Sequence, residues 1–273
     1  MNGAGPRHAP TPVAPAKAKA PVAPPPPPLG DTARVVSWEL VFYGGAQLTA
    51  MLLERSLLGS VAVQAAIAEW GAGRVSVTWS DASAAPPSWQ AMARRAGGGA
   101  AFGFAGGALA VAFVLWTRAA TLATTAPLVT QLALGLLLAA LTAVRDELML
   151  RGFVLRALAG WPSWYAGLAA CGLASAAAKL GVEGATPIEI ASAALAGVAL
   201  GAVWQRDRGA WMAVGANTAW IFVTSALIRG GALDVRFLQT SWGGVSVTTG
   251  LAGLVAMGAL AAAAVVWSRR PRA

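Results

Sequence analysis

Residues 145–156 read RDELMLRGFVLR, and this stretch decides how the rest of the chain is interpreted. It follows the apolar run 128–144, so two adjacent carboxylates, Asp146 and Glu147, and the guanidinium of Arg151 fall in a segment suited to a membrane. An ionisable side chain in a membrane helix costs at least ~2.5 to 3.5 kcal/mol on insertion scales, and such residues usually serve a function. The stretch therefore predicts a functional site inside a membrane helix.

The composition excludes an ordinary soluble domain. Of 273 residues, 57% are hydrophobic and 11% are charged, and the mean hydropathy is +0.61. A helix that spans a bilayer needs about 20 predominantly apolar residues, and such runs recur along the chain. The sequence predicts an all-α fold, a polytopic bundle of about seven transmembrane helices at residues 35–53, 97–116, 126–159, 164–180, 188–204, 210–228 and 249–267.

Four regions follow from the same pattern. Residues 1–33 are rich in Pro and Ala and predict a disordered tail, because they cannot bury a core. Residues 34–96 predict a first membrane helix and an interfacial loop region, in which the apolar patch 57–68 is interpreted as interfacial or re-entrant. Residues 97–267 are expected to form the main membrane domain, and residues 268–273 a basic C-terminal tail.

Small residues recur at helical spacing in two of the predicted spans. Gly99, Gly103 and Gly107 lie four residues apart and line one helix face, and Gly197 and Gly201 repeat the spacing. Such a face lets two helix backbones approach closely. Both sets predict close helix packing.

The net charge of +9 is attributed to membrane topology, because Lys and Arg are spread through loops and both tails. The expected partner is the lipid bilayer, and nucleic acid is not expected. Cytoplasmic loops carry excess Lys and Arg, so we expect a multi-pass protein of the cell (inner) membrane whose C-terminus, with Arg269 and Arg270, is cytoplasmic. Two N-terminal topologies stay open: either the patch 57–68 crosses the membrane, or the N-terminal tail is translocated.

Histidine is nearly absent from the chain. The single one, His8, lies in the proline-rich tail. An imidazole base or imidazole metal ligand is therefore not available to the membrane helices. We expect no metal site and no cofactor.

Helix geometry is expected to bring several polar side chains together. Glu147 and Lys179 lie at similar distances along the chain from the turn between their helices, so antiparallel packing places them at about the same depth. Asn217 returns to within a few turns of that level on a third helix. One polar pocket can thus contain a carboxylate, Lys179 and Asn217.

The two carboxylates are expected to point in different directions. Glu147 precedes Arg151 by four residues, the favourable order for an ion pair on one helix face. Asp146 points about 100° away and is left as the free acid. Either Asp146 and Lys179 form a buried ion pair that locks two helices, or Asp146 activates a water while Asn217 stabilises an oxyanion and Lys179 supplies positive charge.

The same residues carry a resemblance to a known family. DELMLRG at 146–152 is similar to the E-E-x-x-x-R-G motif of the CAAX prenyl protease and bacteriocin-processing (CPBP) family of intramembrane endopeptidases. SAAAKLGVEG at 175–184 and GANTAWIF at 215–222 follow in the order of that family's second and third motifs. The resemblance covers about residues 97–267. It implies a membrane helix bundle of the CAAX-protease type.

The resemblance also assigns the catalytic positions to Asp146, Glu147, Lys179 and Asn217. Asp146 replaces the first glutamate of the motif, Lys179 and Asn217 replace its two histidines, and Ile221 replaces its closing asparagine. A protonated Lys neither accepts a proton nor binds a metal. Loss of one oxyanion donor alone costs ~2.7 to 4 kcal/mol in the transition state. Glu147 is retained, as is its predicted structural partner Arg151.

The predicted function is therefore that of a CPBP homologue with impaired catalysis. Such a pseudoprotease would act as a membrane scaffold or peptide-binding subunit, with a membrane-proximal peptide or an active paralogue as its partner. One alternative is an active CAAX-type protease that uses Asp146 and Glu147 to activate water for peptide-bond hydrolysis. Another is a component of a transporter or channel, which intramembrane charge permits. Because both motif histidines are absent, the sequence leaves open whether the protein is an enzyme.

Overall fold

The computed structural model describes residues 29–80, 87–124, 126, 129–161, 163–228, 232–238 and 247–270. Its helices are α1 Leu29–Leu52, α2 Leu57–Arg74, α3 Trp89–Trp116, α4 Val129–Glu147, α5 Val154–Ala157, α6 Trp164–Leu180, α7 Pro187–Asp207, α8 Trp211–Ile221 and α9 Leu251–Arg269. Two short strands, β1 Ala120–Thr124 and β2 Leu233–Phe237, pair antiparallel with Ala120 opposite Phe237. The predicted all-α helix bundle is confirmed.

Helices α4 and α5 form one rod with a change of helix type in its middle. The π-helical turn Leu148–Phe153 joins them, directly after Glu147. Gly152 lies in this turn, where a Cβ atom would come within 2.8 Å of Val77 Cγ1 and 3.2 Å of Trp204. The π-helical turn thus packs closely on its neighbours at Gly152. A second π-helical segment, Phe222–Leu227, continues α8.

The start of α1 and the end of α9 lie at the same end of the bundle, which we call the C-terminal face. The hydroxyl of Thr32 donates a hydrogen bond of 2.9 Å to the carbonyl of Ala157 at the end of α5. The guanidinium of Arg269 lies 5.8 Å from the ring centroid of Trp164, which begins α6 after a short turn. Both ends of the described chain therefore lie at this face, and β1 and β2 lie at the opposite face.

Helix α2 extends beyond the apolar patch from which it was predicted. It runs antiparallel to α1, since Trp70 and Gly71 near its end contact Phe42. At its C-terminal end, Arg156 Nε donates a hydrogen bond of 3.1 Å to the carbonyl of Val75. Its 18 residues span about 27 Å at ~1.5 Å per residue. The patch 57–68 is therefore part of a longer helix than the apolar run itself. This arrangement brings the N-terminal end of α1 to the C-terminal face.

Three of the described helices are long and apolar enough to cross a membrane: Trp89–Trp116, Pro187–Asp207 and Leu251–Arg269. The shorter apolar helix Trp211–Leu227 lies beside them. The remaining predicted spans are also helical, although they do not meet the same length and hydropathy criteria. Large apolar side chains such as Leu40 and Leu173 are exposed on the outside of the bundle, as lipid contact requires.

The predicted glycine packing is confirmed. A Cβ atom on Gly99 would overlap the carbonyl oxygen of Met212, and one on Gly103 would overlap the carbonyl oxygen of Ala216. Helices α3 and α8 therefore touch backbone to backbone. Gly197 allows the same approach between α7 and α6, where its neighbour is the carbonyl of Cys171.

Several element boundaries differ from the prediction. Residues 1–28 and 271–273 lie outside the described residues, so the predicted tails are not described there, whereas residues 29–33 form the start of α1. Helix α3 begins at Trp89 behind the N-cap Ser88, in a stretch predicted to be loop with a short helix. Trp204, near the end of α7, is 8% exposed and packs in the core.

Candidate functional site

Glu147 and Asn217 join α4 to α8 through a buried hydrogen bond. Glu147 is fully buried, and its Oε1 accepts a hydrogen bond of 2.9 Å from Asn217 Nδ2. Arg151, which is 3% exposed, lies with its Nη1 3.4 Å from the same Oε1 and donates to the carbonyl of Asp146. The carboxylate is thus held between an amide and a guanidinium. Among the described residues, Glu147 Oε2 and Arg151 Nε have no hydrogen-bond partner.

Asp146 points elsewhere and is engaged by its own neighbour. Its Oδ1 lies 2.6 Å from Arg145 Nη2 and accepts a hydrogen bond of 2.7 Å from Arg145 Nε. Arg145 Nη1 in turn donates a hydrogen bond of 2.6 Å to Gln64 Oε1 on α2, and Gln64 donates one to Ser60. This chain of contacts fixes the guanidinium on the carboxylate. Asp146 is therefore not a free acid.

Lys179 has a different acidic partner from the one predicted. Its Nζ lies 4.0 Å from Glu189 Oε1, across the loop between α6 and α7. Glu189 is held in place by a capping box, in which the side chains of Thr186 and Glu189 each accept a hydrogen bond from the other residue's backbone amide. The predicted ion pair between Asp146 and Lys179 is therefore not formed, because each side chain has a closer partner.

A cavity of about 460 Å³ connects these groups inside the bundle. Asp146, Lys179 and Asn217 all line it, whereas Glu147 lies behind Asn217. The cavity runs from Asn217 toward the opposite face, where α6 ends near Lys179. Its wall also contains Tyr43, Gln47, Arg145, Arg151, Ser175, Glu189, Ser192, Trp220 and Ile221. The structure thus brings all three predicted pocket residues to one cavity.

The side chains that line this cavity differ from those of a hydrolase active site that contains histidines. The cavity wall contains carboxylates, amides, hydroxyls, an ammonium and guanidinium groups, and the chain's single histidine, His8, lies outside the described residues. No group of three or more His, Cys, Asp or Glu side chains that could hold a metal ion occurs among the described residues. Ile221, at the position of the family's closing asparagine, presents an apolar wall.

Sequence reasoning missed two partners of the predicted site residues, Glu189 and Arg145, and the partner of Arg145, Gln64. Glu189 could have been found, because the sequence TPIE at 186–189 is a capping-box pattern that places it in the first turn of α7. Gln64 lies in an apolar patch with Ser60 one turn before it, a weak sign of a buried polar contact. The sequence did not indicate that Arg145 pairs with Asp146. Adjacent helical residues normally point apart, and a long Arg side chain must fold back to meet its neighbour.

Comparison with known families finds a match to the central segment of the chain. Residues 128–223 match a family model described as "Rce1-like: Type II CAAX prenyl endopeptidase Rce1-like". The match supports the resemblance of this segment to the CPBP family. The match contains Asp146, Glu147, Arg151, Lys179 and Asn217, and it is shorter than the predicted range 97–267. No curated protein and no solved structure matches the chain.

The match and the three long apolar helices together indicate an integral membrane protein, with a central segment similar to CAAX-type endopeptidases. A shared fold does not transmit activity across replaced residues. The function therefore depends on the side chains that line the cavity.

Proposed function

We propose that this protein is a CPBP-family homologue that binds a peptide in its cavity without hydrolysing it. The observation that carries this proposal is the engagement of Asp146, whose Oδ1 is held by two nitrogens of Arg145 at 2.6 and 2.7 Å. A general base needs a free lone pair within reach of the proton that it removes. The two nitrogens of Arg145 occupy Oδ1, the oxygen of Asp146 that lies nearest to them.

The other three family positions support the same conclusion. Asn217 gives an amide hydrogen to Glu147, so that hydrogen is not directed at a substrate oxyanion. Lys179 lies near Glu189, and a charged ammonium cannot act as a base. Ile221 has no hydrogen-bonding group in its side chain. Groups that would act on a substrate in the family thus serve as contacts between helices in this chain.

The cavity itself suits an extended peptide. Its volume of about 460 Å³ lies within the range of about 300 to 1,000 Å³ of small-molecule sites. Tyr43 and Trp220 supply aromatic walls, and Lys179, Ser192 and Asn217 supply polar groups along its length. Aromatic walls with spaced polar groups bind side chains and backbone carbonyls together. The partner we expect is the membrane-proximal end of another protein, including that of an active paralogue.

Proteolysis is the competing function, and one observation favours it. The side chain of Asp146 is 24% exposed and lines the cavity, so a water beside its second oxygen would lie near a bound peptide. An Asp can serve as a base, although its carboxylate is one methylene shorter than that of the family's Glu. Misplacement by about 1 Å can reduce a rate about 100-fold.

We also propose the orientation of the bundle. The C-terminal face carries Arg95, Arg156, Arg206, Arg208 and Arg269, which lie at the ends of their helices. Cytoplasmic ends of membrane helices are enriched in Lys and Arg. The C-terminal face is accordingly assigned to the cytoplasm of a cell (inner) membrane, and the start of α1 shares that side.

Photo-crosslinking in liposomes tests peptide binding. The probe is a farnesylated peptide ending in a CAAX sequence, chosen because the family model is named for CAAX prenyl endopeptidases. The variant Ile221→p-benzoylphenylalanine places the photo-reactive group in the cavity wall, and Leu173→p-benzoylphenylalanine, 72% exposed on α6, is the control. We expect a crosslink at position 221 alone, with the peptide recovered at full length. Equal crosslinking at both positions, or none at 221, would overturn the proposal.

A further inference from the structure

Helix α1 carries a carboxylate, Glu39, among apolar residues of its predicted membrane span. Asp31, in the first turn of α1, lies at the C-terminal face, where it pairs with Arg156. Glu39 follows Asp31 by about two helical turns, or about 12 Å along the helix axis at ~1.5 Å per residue. Its side chain is partly exposed. Glu39 therefore lies well inside the charged end of the helix.

The carboxylate of Glu39 has no partner within the described part of the chain, since neither a hydrogen bond nor an ion pair reaches it. The guanidinium groups at neighbouring depths have other partners. Arg156 pairs with Asp31 at 3.2 Å. Arg151 lies 3.4 Å from Glu147. The cost of removing the carboxylate of Glu39 from water is therefore not compensated by a cation of this bundle.

Glu39 differs in this respect from the other acidic residues. Every other carboxylate among the described residues has a partner or is exposed to water in a turn. Glu69 on α2, for example, accepts a hydrogen bond of 2.8 Å from Trp79 Nε1. Glu54 and Glu183 lie in exposed turns outside the helices. Ionisable side chains inside a membrane usually pair with another group or serve a function, and the contacts within this bundle give Glu39 neither.

Glu39 lies at the border between the packed side of α1 and its outer side. Val35 and Phe42 are buried against the bundle. Val36 and Leu40, on the other side of Glu39, are 41% and 69% exposed. A second helix that packs over these two apolar side chains would therefore come within reach of the carboxylate.

We propose that this outer side of α1 binds a membrane helix of a partner protein, and that this helix carries a Lys or Arg at the depth of Glu39. The partner helix packs over Val36 and Leu40, and its cation pairs with the carboxylate. A helix is expected because a segment exposed to lipid must satisfy its backbone hydrogen bonds internally. A cation is expected because it is the complement of an unpaired carboxylate. None of these three residues lines the peptide cavity, so the docking does not depend on the proposed function.

Energy transfer in liposomes between the labelled full chain and labelled membrane peptides tests this proposal. The probes are two designed helices of Leu and Ala that differ at one position, about two turns from one end, where one has Lys and the other has Met. Polar contacts between model membrane helices are strong enough for about a ten-fold difference in association. We expect the unaltered chain to bind the Lys peptide about ten-fold more strongly than the Met peptide, and Glu39→Gln to bind both alike.

Glu54→Gln is the matched control, because it removes an exposed carboxylate just beyond the other end of α1. This variant should keep the preference for the Lys peptide. Photo-crosslinking locates the contact: Leu40→p-benzoylphenylalanine should crosslink to the Lys peptide, and Val255→p-benzoylphenylalanine, 44% exposed on α9, should not.

Three outcomes with the peptides would overturn the proposal: equal binding of both peptides by the unaltered chain, a preference that persists in Glu39→Gln, or a preference that is also lost in Glu54→Gln. Energy transfer between two labelled copies of the chain provides a further test. If that transfer occurs and disappears in Glu39→Gln, a second copy occupies this side of α1, and the proposed partner helix is wrong.

Discussion

The two sides of α8 make contacts of opposite kinds. On one side, α8 lies against α3 so closely that a Cβ atom on Gly99 or Gly103 would overlap the carbonyl of Met212 or Ala216. On the other side, Asn217 meets Glu147 through a hydrogen bond of 2.9 Å, and a cavity of about 460 Å³ opens beside it. One helix thus carries both a dense apolar contact and a polar wall.

This difference explains how the polar side can persist in a membrane. A buried carboxylate and guanidinium are stable only with good geometry, and small shifts of a helix would separate them. The glycine contact fixes α8 against α3 without side chains between them, so the depth and rotation of Asn217 are set. The close contact between α8 and α3 thus holds Asn217 in position for its hydrogen bond to Glu147.

The largest loss of stability is expected when the polar contact between α8 and Glu147 is removed. Glu147→Ala removes the carboxylate and leaves Arg151 buried without its partner at 3.4 Å. Losing one partner of a buried ion pair costs about 3 to 5 kcal/mol of unfolding free energy. Unfolding in mixed micelles with increasing sodium dodecyl sulfate measures the change. Glu147→Gln removes the charge but keeps the acceptor for Asn217, so it should lose less; equal losses in the two variants would show that the hydrogen bond from Asn217 contributes nothing.

The next largest loss of stability is expected at the close contact between α8 and α3. Gly103→Val places a branched side chain where α3 touches the backbone of Ala216. Overpacking of this kind costs about 1 to 3 kcal/mol, and the same micelle titration reports it. Gly98→Val is the matched control, because Gly98 lies on the same helix with nothing within 4 Å of its added Cβ. Similar stability of both variants would mean that α3 and α8 are not in close contact.

A smaller effect is expected where α4 meets α2. Arg145→Met removes the contacts to Asp146 and to Gln64. Because these side chains are partly exposed, we expect a loss of about 1 kcal/mol. Arg145→Lys keeps the charge and should recover part of this loss. A loss as large as that of Glu147→Ala would show that the support of α2, and not the buried pair, holds the polar side together.

The smallest effect is expected at the mouth of the cavity. Lys179→Met removes an ammonium whose side chain is 35% exposed and whose distance to Glu189 is 4.0 Å. Exposed ion pairs contribute about 0 to 1 kcal/mol, so the unfolding free energy should change by less than about 1 kcal/mol. A loss above about 2 kcal/mol would indicate that Lys179 does form a buried pair, as the sequence suggested.

The sequence predicted most helices because apolar length and small-residue spacing report on spans and contacts directly. It did not predict α2 as a full helix, since Gln64 and Glu69 interrupt its apolar pattern, and the contact from Arg145 to Gln64 comes from a distant part of the chain. The strand pair was not predicted either, because β1 and β2 are only five residues each and lie far apart in the sequence.

At the site, the sequence indicated which residues converge but not how they pair. Spacing along a helix fixes the direction of Asp146, and the structure places Asp146 on the cavity with Lys179 and Asn217. The choice of Arg145 as its partner depends on side-chain rotamers, which residue spacing does not encode. The central question about this cavity is therefore chemical: whether Asp146 can activate water.

Peptide cleavage in liposomes is the most direct test of this question. The unaltered protein and Asp146→Asn are reconstituted with the farnesylated CAAX peptide, and mass spectrometry follows the peptide through prolonged incubation at a molar excess of protein. We predict that both proteins leave the peptide intact while both still bind it. Cleavage by the unaltered protein that disappears in a normally folded Asp146→Asn variant would contradict the account and establish an active endopeptidase.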